Sequence, residues 1–436
     1  MFIKGFQNSN YSLPKFSLLA LQHMFAMFGA TILVPALTGL NPGVALFTSG
    51  FGTLIFHLIT KRKVPAYLGS SFAFIGPIIS ASDSYGVPAA LLGCLAAGII
   101  YMISAAIIAK IGTDFIERYL PPVVVGPVII TIGLGLAPVA KDMATEHLPT
   151  AIFTLAVTII VSVFGKGIIK VIPILLGIIA GYLFALAVGL VDLAPIMEAQ
   201  WFALPEFNGI LALDSLGDGI SAVALIAPIA IVTMVEHLGD VLALGKTVEK
   251  DFISEPGLHR TLLGDGVATA FASFFGGPPN TTYGENIGVL ALTGVHEPAV
   301  IQLAAIFVVM ISFIQKVGAL IQSIPEAVMG GIVILLFGMI ASIGLRTLVE
   351  NKVDLNKNRN LVIVSTILVI GISEIPITID FVGIIEFFRL EGINILSRIA
   401  ETIDVLEFKG MGLAAIVGIF LNIILPKKAK TKTDEK

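Results

Sequence analysis

Glu236 lies in Met234-Val-Glu-His-Leu-Gly-Asp240, and Glu285 lies in Asn280-Thr-Thr-Tyr-Gly-Glu-Asn-Ile-Gly288. Both interrupt stretches that otherwise read as membrane-embedded. An ionisable side chain near a bilayer centre costs roughly 2.5–3.5 kcal/mol on insertion scales, so by default it marks a pathway or a site. A carboxylate accepts hydrogen bonds, and a protonated carboxyl also donates one. Two of them suit a small ligand that displays N–H donors. Phe72 and Tyr283 offer faces on which a flat ring can stack. Gly284 has no side chain to shield its backbone N–H and C=O. The combination fits a small planar solute with alternating N–H and C=O groups, the pattern of a pyrimidine or purine base. Asp240 follows Glu236 at i, i+4 and shares its helix face. Neighbouring carboxylates tend to share a proton, because like charges raise one pKa. Glu236, Asp240 and Glu285 are therefore the candidates for proton coupling.

Each of these residues also has a structural reading. Glu236 and Glu285 could belong to a hydrogen-bond network between helices, and Phe72 and Tyr283 could be packing aromatics. Gln22 and His23 fit interhelical hydrogen bonding as well as the edge of a site. With Ser71, His237 and Asn286 they form the supporting set. Asp240 divides between proton relay and support of His237 or the backbone. Asp265, between two glycines, reads as a turn or a helix start. Glu326 follows Pro325 where a helix should begin, and a negative charge there suits the helix dipole. His57, His147, His259 and His296 fall near loops and span ends and read as interfacial residues.

The elements that must position these residues are apolar. Of 436 residues, 56% are hydrophobic and only 13% charged, with a mean hydropathy of +0.98. Soluble domains carry about 25% charged residues, so lipid must be the solvent. Windows such as Leu18–Leu37, Ala89–Ala109, Val123–Val139, Ile152–Phe164, Ile172–Val188, Ala222–Met234 and Leu361–Ile372 leave room for about 12–14 spans. The formal net charge of −4 carries no nucleic-acid signal. The single cysteine, Cys94, excludes a disulfide framework or a cysteine-based metal site. No metal and no cofactor is expected. The first residues, Met1–Lys15, show no cleavage pattern of a removable leader.

Placing both termini inside puts most of the 26 Lys and Arg on the cytoplasmic side. The exceptions are Lys141, Lys316, Arg389, Arg398 and Lys409. The connection Val191–Gly219 has no Lys or Arg and should face outward. Two stretches do not read as full spans: Tyr67–Pro77 and Gly276–Gly288 are short, rich in small residues and interrupted by Gly or Pro. Extended backbone at membrane depth is tolerated only where protein or a water-filled cavity satisfies it. A weak repeat relates the halves. Leu19–Met24 aligns with Thr233–Leu238, placing Gln22-His23 over Glu236-His237, and Leu120–Gly126 aligns with Ile324–Gly330. Halves with an odd number of spans are inverted, with the site near the midplane. Ile375–Phe408 reads as an amphipathic surface helix.

The run Asn280–Gly294 resembles the signature of the nucleobase–ascorbate transporter family, also called nucleobase:cation symporter-2. Val64–Phe74, Gln22-His23 and Asp251–Arg260 look like the bacterial uracil permeases within it, and the resemblance extends from about Leu13 to Leu425. It implies an all-α polytopic membrane protein with fourteen segments as a seven-plus-seven inverted repeat. Two short antiparallel strands would sit in interrupted segments 3 and 10, near Ser70–Ile75 and Thr281–Ile287. Core parts at 13–115 and 220–315 would hold the substrate, and gate parts at 116–190 and 322–426 would move against them. Glu236 and Glu285 would hydrogen-bond the base, Phe72 and Tyr283 would sandwich it, and Gly284 would offer backbone contacts. Relatives specific for xanthine and other purines tend to have Gln at the place of Glu285, which favours uracil. Some uracil–proton symporters of the family have His where this chain has Asp240, so the role of that position does not carry over.

The implied activity is import of uracil with a proton across a bacterial cytoplasmic membrane, both termini inside. The partners are uracil, the proton and the bilayer, with a homodimer left open. A xanthine or broader nucleobase carrier is the alternative. No HExxH, GxSxG or GxGD-type motif supports an intramembrane enzyme. An anion channel of the same fold is disfavoured by two central glutamates.

Overall fold

The structure, a computed structural model, describes residues 12–112, 119–373, 375–380 and 405–426. It is mostly helical. The described residues open with α1 (Leu13–Thr38), which stops at Gly39 in a left-handed conformation. Asn41 then starts α2 (Pro42–Ile59), its Oδ1 accepting from the backbone N–H groups of Gly43 at 2.8 Å and Val44 at 3.2 Å. Next come β1 (Leu68–Ser70), a 3-10 turn at Phe72–Phe74, α3 (Ile75–Tyr85) and α4 (Val87–Ile111). A second group follows: α5 (Pro122–Gly135), α6 (Ala137–Glu146), α7 (Leu148–Phe164), α8 (Pro173–Ala187) and the short α9 (Ala194–Glu198). A single 3-10 turn, Gly167–Val171, joins α7 to α8. Prolines open most of these helices, where the missing N–H costs nothing.

The second half begins with α10 (Leu216–Ile226) and α11 (Ile229–Val248), bent by 41° at their junction. It continues with α12 (Leu258–Phe274), β2 (Asn280–Thr282), α13 (Gly284–Thr293), α14 (Pro298–Ser312) and α15 (Gln315–Gln322). The last group is α16 (Glu326–Glu350), α17 (Asn358–Ser373), β3 (Ile377–Asp380), β4 (Val405–Phe408) and α18 (Gly410–Ile424). Five helices are long and apolar enough to cross a membrane, and two bent pairs bring the number to seven among the described residues. Four shorter apolar helices, α7, α8, α17 and α18, accompany them.

The packing forms two sets. α12 lies along α4 and α2, α10 along α4, and α14 along α2 and α1. Separately, α16 lies along α5, α6 and α7, and α17 along α5 and α18. Small residues let the axes meet. A Cβ on Gly98 would come within 2.8 Å of the backbone of α12, and one on Gly126 within 3.0 Å of the Gly344 carbonyl. Close backbone approach at small residues is how helices associate where lipid removes the hydrophobic drive.

The expected surface helix at Ile375–Phe408 is corrected at both ends. Ile377–Asp380 and Val405–Phe408 pair as antiparallel strands, with Ile377 opposite Phe408. The alternation Ile-Thr-Ile-Asp has the period of a strand. Residues 381–404, including Glu386, Arg389 and Arg398, lie outside the described residues. Glu326 does open α16, in its first turn.

Candidate functional site

Two three-residue strands cross at the centre of the first helical set. β1 and β2 pair antiparallel, with Leu68 opposite Thr282, Gly69 opposite Thr281 and Ser70 opposite Asn280. The ladder extends through Ser71 N–H to the Pro279 carbonyl at 2.9 Å and Tyr283 N–H to the Tyr67 carbonyl at 3.0 Å. Such short buried strands need partners on their outer edges. Side chains supply them. Ser49 Oγ donates to the Leu68 carbonyl at 2.7 Å, and Leu68 N–H donates to Thr53 Oγ1 at 2.9 Å. Thr269 Oγ1 donates to the Asn280 carbonyl at 2.9 Å. The strands begin earlier than the interrupted stretches suggested, because Phe72 enters a 3-10 turn and Gly284 already begins α13.

β2 hands directly to α13, so the free N–H groups of its first turn lie beside the crossing. Gly284 is exposed, and a Cβ there would meet nothing within 4 Å. Glu285, in the same first turn, is half-buried. Asn286 is buried. Its Nδ2 donates to the His23 carbonyl at 3.0 Å and lies 3.1 Å from His23 Nδ1, tying α13 to α1. Phe72 is half-buried. Tyr283 is buried, and its hydroxyl donates to the Ser70 carbonyl at 2.9 Å and accepts from Thr31 Oγ1 at 3.2 Å. Its ring lies on Gly69, where a Cβ would approach the ring to 2.3 Å.

α11 supplies the other acids and packs against both β2 and α13. Glu236 is exposed although its helix neighbours Met234 and His237 are buried. One turn on, Asp240 Oδ2 accepts from the Thr282 hydroxyl at 3.1 Å. The shared face of Glu236 and Asp240 therefore looks onto the strand crossing. Thr282 Oγ1 also lies 3.4 Å from His237 Nδ1, and that nitrogen lies 3.2 Å from Asp265 Oδ2. Thr282 thus links Asp240 to His237, and Asp265 lies beside His237 at ion-pair distance with neither of its buried carboxylate oxygens hydrogen-bonded.

Asp265 corrects an expectation. It is neither a turn nor a helix start, but sits inside α12 and is fully buried. The flanking glycines serve packing: a Cβ on Gly264 would meet Phe56 at 2.8 Å, and one on Gly266 would meet Tyr101 at 2.6 Å. The signal that marked Glu236, an acid within an apolar stretch, was present for Asp265 as well. Thr282 is the other residue not anticipated; only the strand register turns it toward α11. His57, expected at an interface, is instead buried, with Nε2 3.0 Å from the Ala66 carbonyl. Ser71 Oγ, Gln22 Oε1, Asn286 Oδ1 and His237 Nε2 are buried atoms whose hydrogen-bonding capacity the protein does not use. Among the described residues no cluster of His, Cys, Asp and Glu has the arrangement of a metal site.

The chain matches the profile of a permease family over residues 14–378. It is 49% identical to the uracil permease of Bacillus subtilis (strain 168), across 95% of this chain and 93% of that protein. It is 51% identical to the uracil permease of Bacillus caldolyticus, across 94% and 91%. The uracil permease of Escherichia coli (strain K12) is 42% identical, across 93% and 90%. Among solved structures, SLC26A9 superposes with a TM-score of 0.65 at 15% identity, covering 95% of this chain and 66% of that one. The transmembrane domain of the cyanobacterial bicarbonate transporter BicA superposes with a TM-score of 0.57 at 13% identity, covering 79% and 97%. At those identities the likeness is one of fold. The apolar helices, the central strand crossing and the match over most of the chain make this a multi-pass membrane protein of the permease family.

Proposed function

We propose that the protein imports uracil across a bacterial cytoplasmic membrane by proton symport and alternating access. The observation that carries this is the placement of Glu236 and Glu285. They come from α11 and from the first turn of α13, on the two elements that flank the strand crossing. Neither is fully buried, although both sit in largely apolar helices. A pyrimidine edge presents the N–H donors that two such carboxyls accept. Gly284 offers open backbone, and the half-buried Phe72 offers a ring face. We assign Tyr283 to the wall of the site, since its ring and hydroxyl are pinned to β1. The names of the relatives support uracil as the substrate.

In this reading seven segments in each half form an inverted repeat of fourteen. Residues 13–115 and 220–315 hold the substrate, and residues 116–190 and 322–426 form the gate. The two packing sets support that division. Glu236, Asp240 and Glu285 are the coupling candidates, and the chain from Asp240 through Thr282 and His237 to Asp265 is a route for redistributing a proton. Gln22, His23, Ser71 and Asn286 support the site. In the same reading both termini face the cytoplasm, which the Lys and Arg bias supports.

Radiolabelled uracil uptake into proteoliposomes, with and without an inward proton gradient, tests the proposal. Uptake indifferent to the gradient refutes symport. Glu285→Gln replaces an acceptor oxygen by a donor facing a donor, and should weaken uracil binding by about 5–150-fold, the cost of one unpaired polar contact of about 1–3 kcal/mol. Unchanged binding refutes the assignment of Glu285.

A further inference from the structure

Lys170 takes no part in the site described above. It lies on the 3-10 turn Gly167–Val171, between α7 and α8. It also lines a cavity of about 520 Å³ that α13 lines as well. Glu285 lines the same cavity. Among the described residues these two are the only charged ones of the lining, which is otherwise built of residues such as Ala26, Pro173, Ile174, Leu175, Leu292 and Met339. The turn and α13 are in close contact: a Cβ on Gly288 would touch Val171 Cγ1 at 3.4 Å. Lys170 is exposed, and among the described residues no salt bridge engages it. Gly167, with φ of +59°, starts the turn in the left-handed region that glycine adopts without strain.

A carboxylate facing an apolar cavity needs a partner. While the base is bound, its N–H groups serve Glu285. Once the base leaves, the charge is uncompensated, and closing the cavity around it is unfavourable. A lysine is a compact charge on a flexible stem, suited to reach across such a space. We propose that Lys170 is the counter-charge that takes over Glu285 when the site empties, so that the unloaded carrier can close and return. This rests on the assignment of Glu285 to the uracil site. Lys170 is then a gating residue of the transport cycle and not a substrate ligand.

Two transport modes of the full-length protein in proteoliposomes separate this from a structural role. Net uptake into uracil-free vesicles requires the empty carrier to return, whereas counterflow in uracil-loaded vesicles does not. Lys170→Met should lower net uptake about tenfold, the factor produced by about 1.4 kcal/mol, while counterflow stays within about twofold of native. Lys170→Arg, which keeps the charge, should restore net uptake. The proposal is overturned if Lys170→Met leaves both modes unchanged, if it lowers both alike, or if Lys170→Arg behaves like Lys170→Met. Native protein that moves uracil in neither mode would instead overturn the uracil assignment, and this inference with it.

Discussion

The strand crossing contains two glycines at which the same added methyl group should have opposite consequences. At Gly69, a Cβ would fall 2.3 Å from Tyr283 Cε2 and Cζ and 2.7 Å from Thr31 Oγ1. The ring cannot withdraw freely, because its hydroxyl is held by the Ser70 carbonyl and by Thr31. Overpacking of this kind costs about 1–3 kcal/mol. Giving up two hydrogen bonds inside a membrane protein adds about 0.6 kcal/mol each. Gly69→Ala should therefore destabilise the fold by about 2–4 kcal/mol, the sum of these two costs. At Gly284 the added Cβ meets only open space. Gly284→Ala should leave stability within about 0.5 kcal/mol of native, as for ordinary surface changes, yet obstruct the surface against which we place the base. Cys94 provides the assay. It is the single cysteine and is fully buried, so a thiol-reactive fluorophore reports its exposure on heating. Melting with and without uracil separates the effects: Gly69→Ala lowers the midpoint in the absence of ligand, and Gly284→Ala lowers only the uracil-induced rise. Equal midpoints for native and Gly69→Ala, or a full uracil shift in Gly284→Ala, would refute the reasoning for the corresponding glycine.

Asp265→Asn keeps the volume and one acceptor beside His237 Nδ1 but cannot carry the negative charge. Uracil binding should survive while gradient-driven accumulation falls, and a variant that accumulates uracil like native would remove Asp265 from the coupling route. Outside the membrane-spanning segments, the Lys63 ammonium bonds the Glu255 carboxylate and holds its pKa below the ordinary range. The stability from that pair is thus present above the unfolded-state value of about 4.3 and is lost as pH falls through the lower folded value. Lys63→Ala should return Glu255 to the ordinary range, which a carbon-13 carboxyl titration of labelled protein would detect as an upward-shifted midpoint.

Much of the candidate site was legible from residue types alone. Glu236 and Glu285 stand out because charge is expensive in an apolar helix, and that expense requires no coordinates to estimate. The interrupted stretches around Ser70 and Tyr283 stand out because glycine and proline break helical periodicity. Asp265 was misread for a related reason. Glycine on both sides signals a turn when the chain is considered by itself, but here those glycines admit Phe56 and Tyr101 from two other helices. His57 shows the same limit, since a position at the end of a helix does not reveal that Ala66 and Gln302 enclose it.

The sequence by itself determined the solvent of the protein, the types of its central acids and the places where helices must break. These follow from transfer energies and backbone preferences, which are properties of single residues and their near neighbours. Only the tertiary structure decided that Thr282 faces Asp240, that His237 reaches Asp265, that Tyr283 is pinned on Gly69 and that Lys170 shares a cavity with Glu285. Those pairings join residues from 28 to 214 positions apart in the numbering. They depend on strand register and on how closely glycine lets two helices approach, and neither is encoded in any local stretch.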